Sequence, residues 1–287
     1  MARSREPHRW RLGPDSVLVL DRPVLMGVLN VTPDSFSDGG KYDSVESALR
    51  HSLSLVEAGA DILDIGGEST RPGAPPVSPS EEMTRIIPVI EAVHAATDTP
   101  ISVDTTKSSV AREAVRCGAT MINDISGLTF DPKIADVAAQ YGCALCLMHI
   151  QGTPQTMQKA PEYRDVLDEV TSFLSDAVQR ALAAGVEKQR ICVDPGIGFG
   201  KRLEHNMQLI NGIAAITERL HRPVLAGVSR KSFIGHITDK PVESRLFGTI
   251  GAVAVSILRG AHIVRVHDVA EVMDAVHVVD ELQRYHR

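Results

Sequence analysis

Ile191-Cys192-Val193-Asp194-Pro195-Gly196-Ile197-Gly198-Phe199-Gly200-Lys201 holds a complete structural unit in one short stretch. The apolar triplet reads as a buried strand, Asp194 stands at its end, and Pro195 stops it. Gly196, Gly198 and Gly200 then allow a tight turn and a close backbone approach to a ligand. A carboxylate at that point is either a turn former or a binding group. The rest of the chain decides which.

The same grammar recurs on both sides. Apolar runs begin near Val24, Asp61, Pro100, Thr120, Cys143, Arg190, Pro223 and His262. Segments of helical period lie between them; in 44–58, Val45, Leu49, Leu53 and Val56 share one face, with Ser44 as the expected N-cap. Ser80, followed by Glu81 and Glu82, reads as a second helix start, with the acids favoured by the helix dipole. Gly59, Gly118, Gly142 and Gly260 each stand between a helix and the next strand, as residues just past a helix C-terminus do. Eight such units in 287 residues predict an α/β protein with a closed (β/α)8 TIM barrel. A doubly wound open sheet would carry a glycine-rich dinucleotide turn after its first strand, where this chain has Asn30-Val31-Thr32-Pro33-Asp34-Ser35-Phe36. Residues 1–22, with a short strand at Val17–Leu20, are expected to cover the barrel bottom, and residues 23–287 to form the barrel. The proline-rich segment 71–79 is too short to separate domains.

Composition narrows the function. A net charge of −6 argues against a nucleic-acid surface, so an anionic ligand needs a local basic cluster. No run approaches the roughly 18 apolar residues of a membrane span, and the start, Met1 to Trp10, is too polar for a secretory signal. A cytoplasmic protein with no membrane partner is expected. The four cysteines are too few for a disulfide scaffold. Cys143 and Cys146 have metal-ligand spacing but fall on opposite faces of a strand, so they read as buried apolar groups.

Polar residues gather where the strands end, which is where barrel enzymes place their sites. Asn30, Asp64, Asp104, Asn123-Asp124, Asp194, Ser229 to Ser232, and Arg265 to Asp268 close seven of the eight runs. A lone aspartate after a strand is usually a turn or cap residue; barrel closure would bring all of these around one mouth. Asp104, Asn123 and Asp194 suit the polar edge of a flat heterocycle, since a carboxylate can face two adjacent N–H groups. Arg71, Lys231, Arg265 and His267 supply positive charge for a phosphate or carboxylate. Asn30 offers a hard oxygen to Mg²⁺.

Those segments resemble the dihydropteroate synthase family. Residues 27–40 (GVLNVTPDSFSDGG) and 64–73 (DIGGESTRPG) are similar to its two signatures, and 103–105, 123–125, 148–154, 194–201, 227–235 and 265–268 follow in the family's order. Eight motifs in register are specific where one would not be. The resemblance implies a transferase that joins 6-hydroxymethyl-7,8-dihydropterin diphosphate to 4-aminobenzoate, with Mg²⁺, in folate biosynthesis. By matching motif, Asp104, Asn123, Met148, Asp194, Lys231 and Arg265 would bind the pterin. Asn30, Arg265 and His267 would hold the diphosphate, with Asn30 on the metal. Phe36, Thr70, Arg71, Pro72, Phe199, Lys231 and Ser232 would surround the aminobenzoate. Asp38, Arg71, Asp104, Lys231, Arg265 and His267 form the expected catalytic set. The resemblance also implies sulfonamides as competing ligands and a homodimer through helices such as 243–259.

Other residues receive plainer readings. Glu68 is expected to make structural hydrogen bonds, and His149 to be a satisfied barrel-top residue. His51, His94, His221, His277 and His286 read as solvated, Thr105-Thr106 as a helix cap, and Trp10 as lying outside the barrel pattern. Two rivals compete. A methyltetrahydrofolate–corrinoid methyltransferase domain would not need the 68–73 loop. A non-catalytic pterin-binding paralogue would have lost some of Asn30, Asp38, Arg71, Lys231 or His267, and all are present.

Overall fold

The structure is a computed structural model and describes residues 8–13, 16–32 and 41–285. Phe36, Asp38 and His286 lie outside the described residues. An antiparallel hairpin, β1 (His8–Arg11) and β2 (Val17–Leu20), precedes the rest. Eight parallel strands follow: β3 (Val24–Asn30), β4 (Ile62–Gly66), β5 (Ile101–Asp104), β6 (Met121–Asp124), β7 (Ala144–Met148), β8 (Ile191–Asp194), β9 (Leu225–Ala226) and β10 (Ile263–Val266). Each expected run contains one of them. Neighbours pair in chain order, β10 returns to β3, and a parallel bridge between Val193 and Val224 joins the two ends of the sheet. The seventh strand is shorter than its apolar run. Pro223 accepts from the Val193 N–H at 3.0 Å but has no N–H to give, so the ladder starts only beyond it.

Among the described residues ten α-helices run outside the strands: α1 (Lys41–Glu57), α2 (Pro79–Ala96), α3 (Ser108–Arg116), α4 (Lys133–Tyr141), α5 (Val166–Ala183), α6 (Leu203–Asn211), α7 (Ile213–Leu220), α8 (Ser232–Thr238), α9 (Leu246–Leu258) and α10 (Val269–Arg284). Three expected helix starts shift. The first helix begins at Lys41, so Ser44 lies inside it. The cap of α2 is Ser78, whose Oγ accepts from Glu81 N at 3.2 Å, because Pro79 fits the first helical position and needs no partner for an N–H. Lys107, not Thr105 or Thr106, occupies the N-cap of α3; the orphan N–H of Ser108 goes to Asp131 Oδ2 at 2.8 Å. Glycines 59, 118, 142 and 260 all have positive φ, as expected of residues ending helices.

The core has two parts. A large cluster packs the outer faces of the strands against the helices, and a smaller one fills the barrel's lower interior. Cys143 belongs to the first and Cys146 to the second, so the two sulfurs do face apart. Trp10, Leu12 and Leu20 of the hairpin join the inner cluster beside Met26, Ile62 and Cys192. Trp10 is fully buried and its Nε1 donates to the Arg190 carbonyl at 3.0 Å. The hairpin is therefore the barrel's floor, and Trp10, which the strand pattern left aside, is its central side chain. Trp10→Ala is expected to cost about 3–5 kcal/mol, measured as a lower urea midpoint at unchanged slope.

Candidate active site

The site follows from the period of two along a strand. Residues two places above the apolar floor point into the same interior. Ile62 is followed by Asp64, Met121 by Asn123, Cys146 by Met148, Cys192 by Asp194, and Ile263 by Arg265. Asp104 ends β5 in register with Gly66 on one side and Asn123 on the other. The interior thus changes from apolar to polar in a single step up the barrel.

Arg265 organises that polar layer. Its Nε donates to Asp64 Oδ2 at 2.6 Å and its Nη2 to Asp104 Oδ2 at 2.8 Å. Asn123 Nδ2 donates to the same Asp64 oxygen at 3.1 Å, which fixes the amide and leaves its carbonyl oxygen as an acceptor for a ligand. Asp64 Oδ1 and Ser102 Oγ, on residues paired in register, are buried without a protein partner. Their unmet capacity suits a polar heterocycle or water at that depth. Burial pushes the Asp104 carboxyl up to about 7 against the pull of Arg265. The same two carboxylates hold Arg265 firmly protonated despite its burial.

Asp194 faces this layer from β8. Its Oδ1 accepts from the Gly196 N–H at 2.7 Å, and burial raises its carboxyl to about 6, opposed by that bond and by Lys231 and Lys201. The turn that follows needs glycine. Gly196 has φ 68°, and a Cβ there would sit 1.9 Å from the His149 carbonyl oxygen. Gly200 has φ 65°, and its Cβ would meet the Gln151 carbonyl at 2.7 Å. The turn is packed backbone to backbone against the loop after β7. Lys201 pins it from below: its buried Nζ lies 2.9 Å from both His149 Nδ1 and the Phe199 carbonyl. Burial lowers Lys201 to about 7. His149 is buried and stacked edge-on against Phe173 at 4.8 Å, the satisfied barrel-top residue expected.

Phe199 ends the turn in a small cluster with Ile125, Met148, Ile150 and Met157. Lys231 Nζ stands 3.9 Å from the centre of its ring, a cation–π contact that fixes the ammonium between the two halves of the site. Burial lowers Lys231 to about 8, with Asp194 and Asp104 opposing that shift. The preceding Arg230 has φ 56°, strained for a residue with a side chain. Its N–H donates to Thr249 Oγ1 at 2.9 Å, and its guanidinium pairs with Asp268, with Nε 2.9 Å from Oδ2. These contacts hold the turn that aims Lys231 into the mouth. Ser232 follows at the exposed start of α8.

His267 completes the layer: its Nδ1 lies 3.0 Å from Ser229 Oγ, and burial beside Arg265 and Arg230 lowers it to about 4. Asn30, half-buried at the end of β3, pairs in register with Gly66. Arg71 and Pro72 are exposed and Thr70 half-buried, all on the loop after β4. That loop leans over a cavity of about 260 Å³ beside Asp104, Ile125 and Phe130. Of the histidines read as solvated, His51, His94, His221 and His277 are exposed.

The site thus assembles eight of the expected residues around one mouth: Asn30, Asp104, Asn123, Met148, Asp194, Lys231, Arg265 and His267. Phe199 and Ser232 form one wall and the Thr70–Pro72 loop stands above it. Asp64, Ser229 and Lys201 carry roles that sequence reasoning did not assign. The signal for Asp64 was present, as an acid within a run whose other inward residues are apolar.

The pterin binding enzyme family matches residues 26–267, and the chain belongs to it. The dihydropteroate synthase of Escherichia coli (strain K12) is 46% identical over 92% of this chain and 93% of its own length. A Xanthomonas albilineans dihydropteroate synthase solved with 4-aminobenzoic acid is 47% identical, covers 96% of this chain and 98% of its own, and superposes with a TM-score of 0.90. The Yersinia pestis enzyme in a sulfonamide drug complex is 42% identical, with a TM-score of 0.90 over 96% of this chain and 99% of its own. Within the family the chain stands among the dihydropteroate synthases, transferases that condense the dihydropterin diphosphate with 4-aminobenzoate in folate biosynthesis.

Proposed function

We propose that this chain performs that condensation by a dissociative displacement in which Mg²⁺ accompanies the diphosphate. The observation that carries the reading is the set of buried Asp64, Asp104 and Asp194 with half-buried Arg265 and Lys231, which balances three acids against fixed cations around one polar pocket. Asp194 and Asn123 bind the edge of the pterin, Met148 packs against its face, and Lys231 bridges the pterin and the Phe199 wall. Arg265 has five N–H donors and commits two to Asp64 and Asp104. The others are free to meet the departing diphosphate. His267 contributes a hydrogen-bonding nitrogen beside them.

The donor set fits a metal that arrives with the substrate. Among the described residues no group of three or more His, Cys, Asp or Glu is placed to hold an ion. Asn30 would supply one hard oxygen to the metal, with diphosphate and water oxygens supplying the others. When bound, Mg²⁺ neutralises charge on the leaving oxygens. As the methylene–oxygen bond breaks, positive charge grows on the pterin, and Asp104, with the motif-matched Asp38, stabilises it. The aromatic amine then attacks from the pocket of Phe36, Thr70, Arg71, Pro72, Phe199 and Ser232, with Ser232 and Lys231 toward its carboxylate. Sulfonamides, which mimic that substrate, compete there.

The direct test is diphosphate release by the purified protein. Release is expected with both substrates and Mg²⁺, to stop with EDTA, and to return with added Mg²⁺. A dissociative path also predicts slow release without aminobenzoate, giving hydroxymethyl dihydropterin as the captured product. Full turnover in EDTA would remove the metal from the proposal.

A homodimer also fits. α9 and α10 pack together and expose Phe247 (78%), Leu258 (56%), Val278 (60%) and Leu282 (56%), an apolar face suited to a second copy. Among the described residues no helix is long and apolar enough to cross a membrane, and we assign the activity to the cytoplasm.

A further inference from the structure

Glu68 opens the loop that carries Thr70, Arg71 and Pro72, and its two oxygens point to different elements. Oε1 accepts from the Val77 N–H at 2.9 Å, drawing the loop's end back to its beginning. Oε2 accepts from Lys107 Nζ at 2.5 Å. The same ammonium donates at 2.5 Å to Oε2 of Glu82, which is fully buried in α2 and whose Oε1 has no partner. Glu82 is thus a first-turn acid of α2 that is buried against a lysine. Lys107 is the N-cap of α3 and stands three residues beyond Asp104.

The three groups differ in freedom. Glu82 is fixed by its helix and burial, and Lys107 is committed to it, because a buried carboxylate stripped of its cation is costly. Glu68 is half-buried and is the member that can be placed. Lys107 thus transmits the fixed geometry of α2 and the pterin-side strand β5 to the loop. Two further contacts set the loop's path: Arg85 Nη1 donates to the Gly67 carbonyl at 2.7 Å, and Gly73 N donates to the Pro154 carbonyl at 3.2 Å. With both carboxylate oxygens engaged, Glu68 is not arranged as an acid–base group.

We infer that Glu68, Lys107 and Glu82 form a positioning relay that sets the Thr70–Pro72 loop for 4-aminobenzoate, selectively over the pterin substrate. The inference rests on the proposed role of that loop in holding aminobenzoate. Neither Glu68 nor Lys107 needs to touch a reacting atom. Each acts through the backbone it holds.

The test uses the full chain, steady-state kinetics in both substrates, and titration with the dihydropterin diphosphate. Glu68→Gln keeps the side-chain shape and the acceptor for Val77 while removing the charge. It is expected to raise the aminobenzoate KM about tenfold and lower kcat, since small misplacements of substrate-positioning groups are expensive. Pterin diphosphate Kd should stay within twofold. Lys107→Met should give the same split, and Lys107→Arg should restore most of it. Unchanged aminobenzoate KM in both Glu68→Gln and Lys107→Met, or equal weakening of both substrates, overturns the relay. Arg71→Ala separates the layers. If it raises aminobenzoate KM and Glu68→Gln does not, the relay alone fails; if neither does, the reading of the loop fails beneath it.

Discussion

Asp194→Ala is expected to lose nearly all affinity for the dihydropterin diphosphate. In the proposed binding mode two charge-assisted hydrogen bonds to the pterin edge disappear, each worth about 1.5–3 kcal/mol. The loss extends to the protein's own cations. Lys231 and Lys201 both lie close enough to lower the Asp194 carboxyl, and without it each keeps its charge with less compensation. A loss of about 3–5 kcal/mol corresponds to roughly 10²–10⁴-fold in Kd, within reach of calorimetric titration. Binding of the variant within threefold of wild type would remove Asp194 from the site. The wild type should show a related pH effect. Burial raises Asp194 to about 6, so its acceptor form is lost as pH falls through that value. Below it, affinity should weaken by roughly tenfold per unit, and Asp194→Asn should flatten that response. The sign for stability is opposite. A raised carboxylate pKa contributes stability below its ordinary value of 3.8, and this contribution is lost as pH rises through about 6 for Asp194 and about 7 for Asp104. The folded protein therefore holds its binding carboxylates ionised at a cost, as a preorganised site does.

How much of this could be read from the chain depends on the range of the cause. The eight strands were legible because each is a short apolar run ended by a polar residue, a local pattern. Asp104, Asn123, Asp194 and Arg265 were legible because they sit at those ends. The second helix start misled because Ser78 and Ser80 flank Pro79 and both can cap; proline's fit to the first helical position favours Ser78. Lys107 and Glu82 were not legible as a pair, since their contact spans 25 residues and two elements. The burial of Trp10 was not legible for a similar reason. Its strand belongs to no βα unit, and its burial depends on where the hairpin docks. The lowered pKa of His267 was not legible from residue type, because burial and two arginines cause it.

Arg265→Met is expected to have the second large effect, and it acts on fold and chemistry together. Removing the guanidinium leaves Asp64 and Asp104 facing each other in the barrel interior without their cation. Asp64 is fully buried and already has one oxygen without a partner, so it has no access to compensating solvent. Breaking a buried pair in this way costs about 3–5 kcal/mol, a large part of the roughly 5–15 kcal/mol that holds a domain folded. The variant should melt well below wild type and show no measurable turnover. Stability alone could explain both results, so a second substitution is needed. Asp64→Asn/Arg265→Met removes one of the two stranded charges while keeping an acceptor for Asn123. It should regain part of the lost melting temperature and none of the turnover. The non-additive recovery would measure the Arg265–Asp64 coupling. The persistent loss of activity would assign the remaining guanidinium donors to the departing diphosphate. An Arg265→Met protein that melts with wild type and turns over at more than about a tenth of its rate, a loss under about 1.4 kcal/mol, would show that neither the charge balance nor the leaving group depends on this residue.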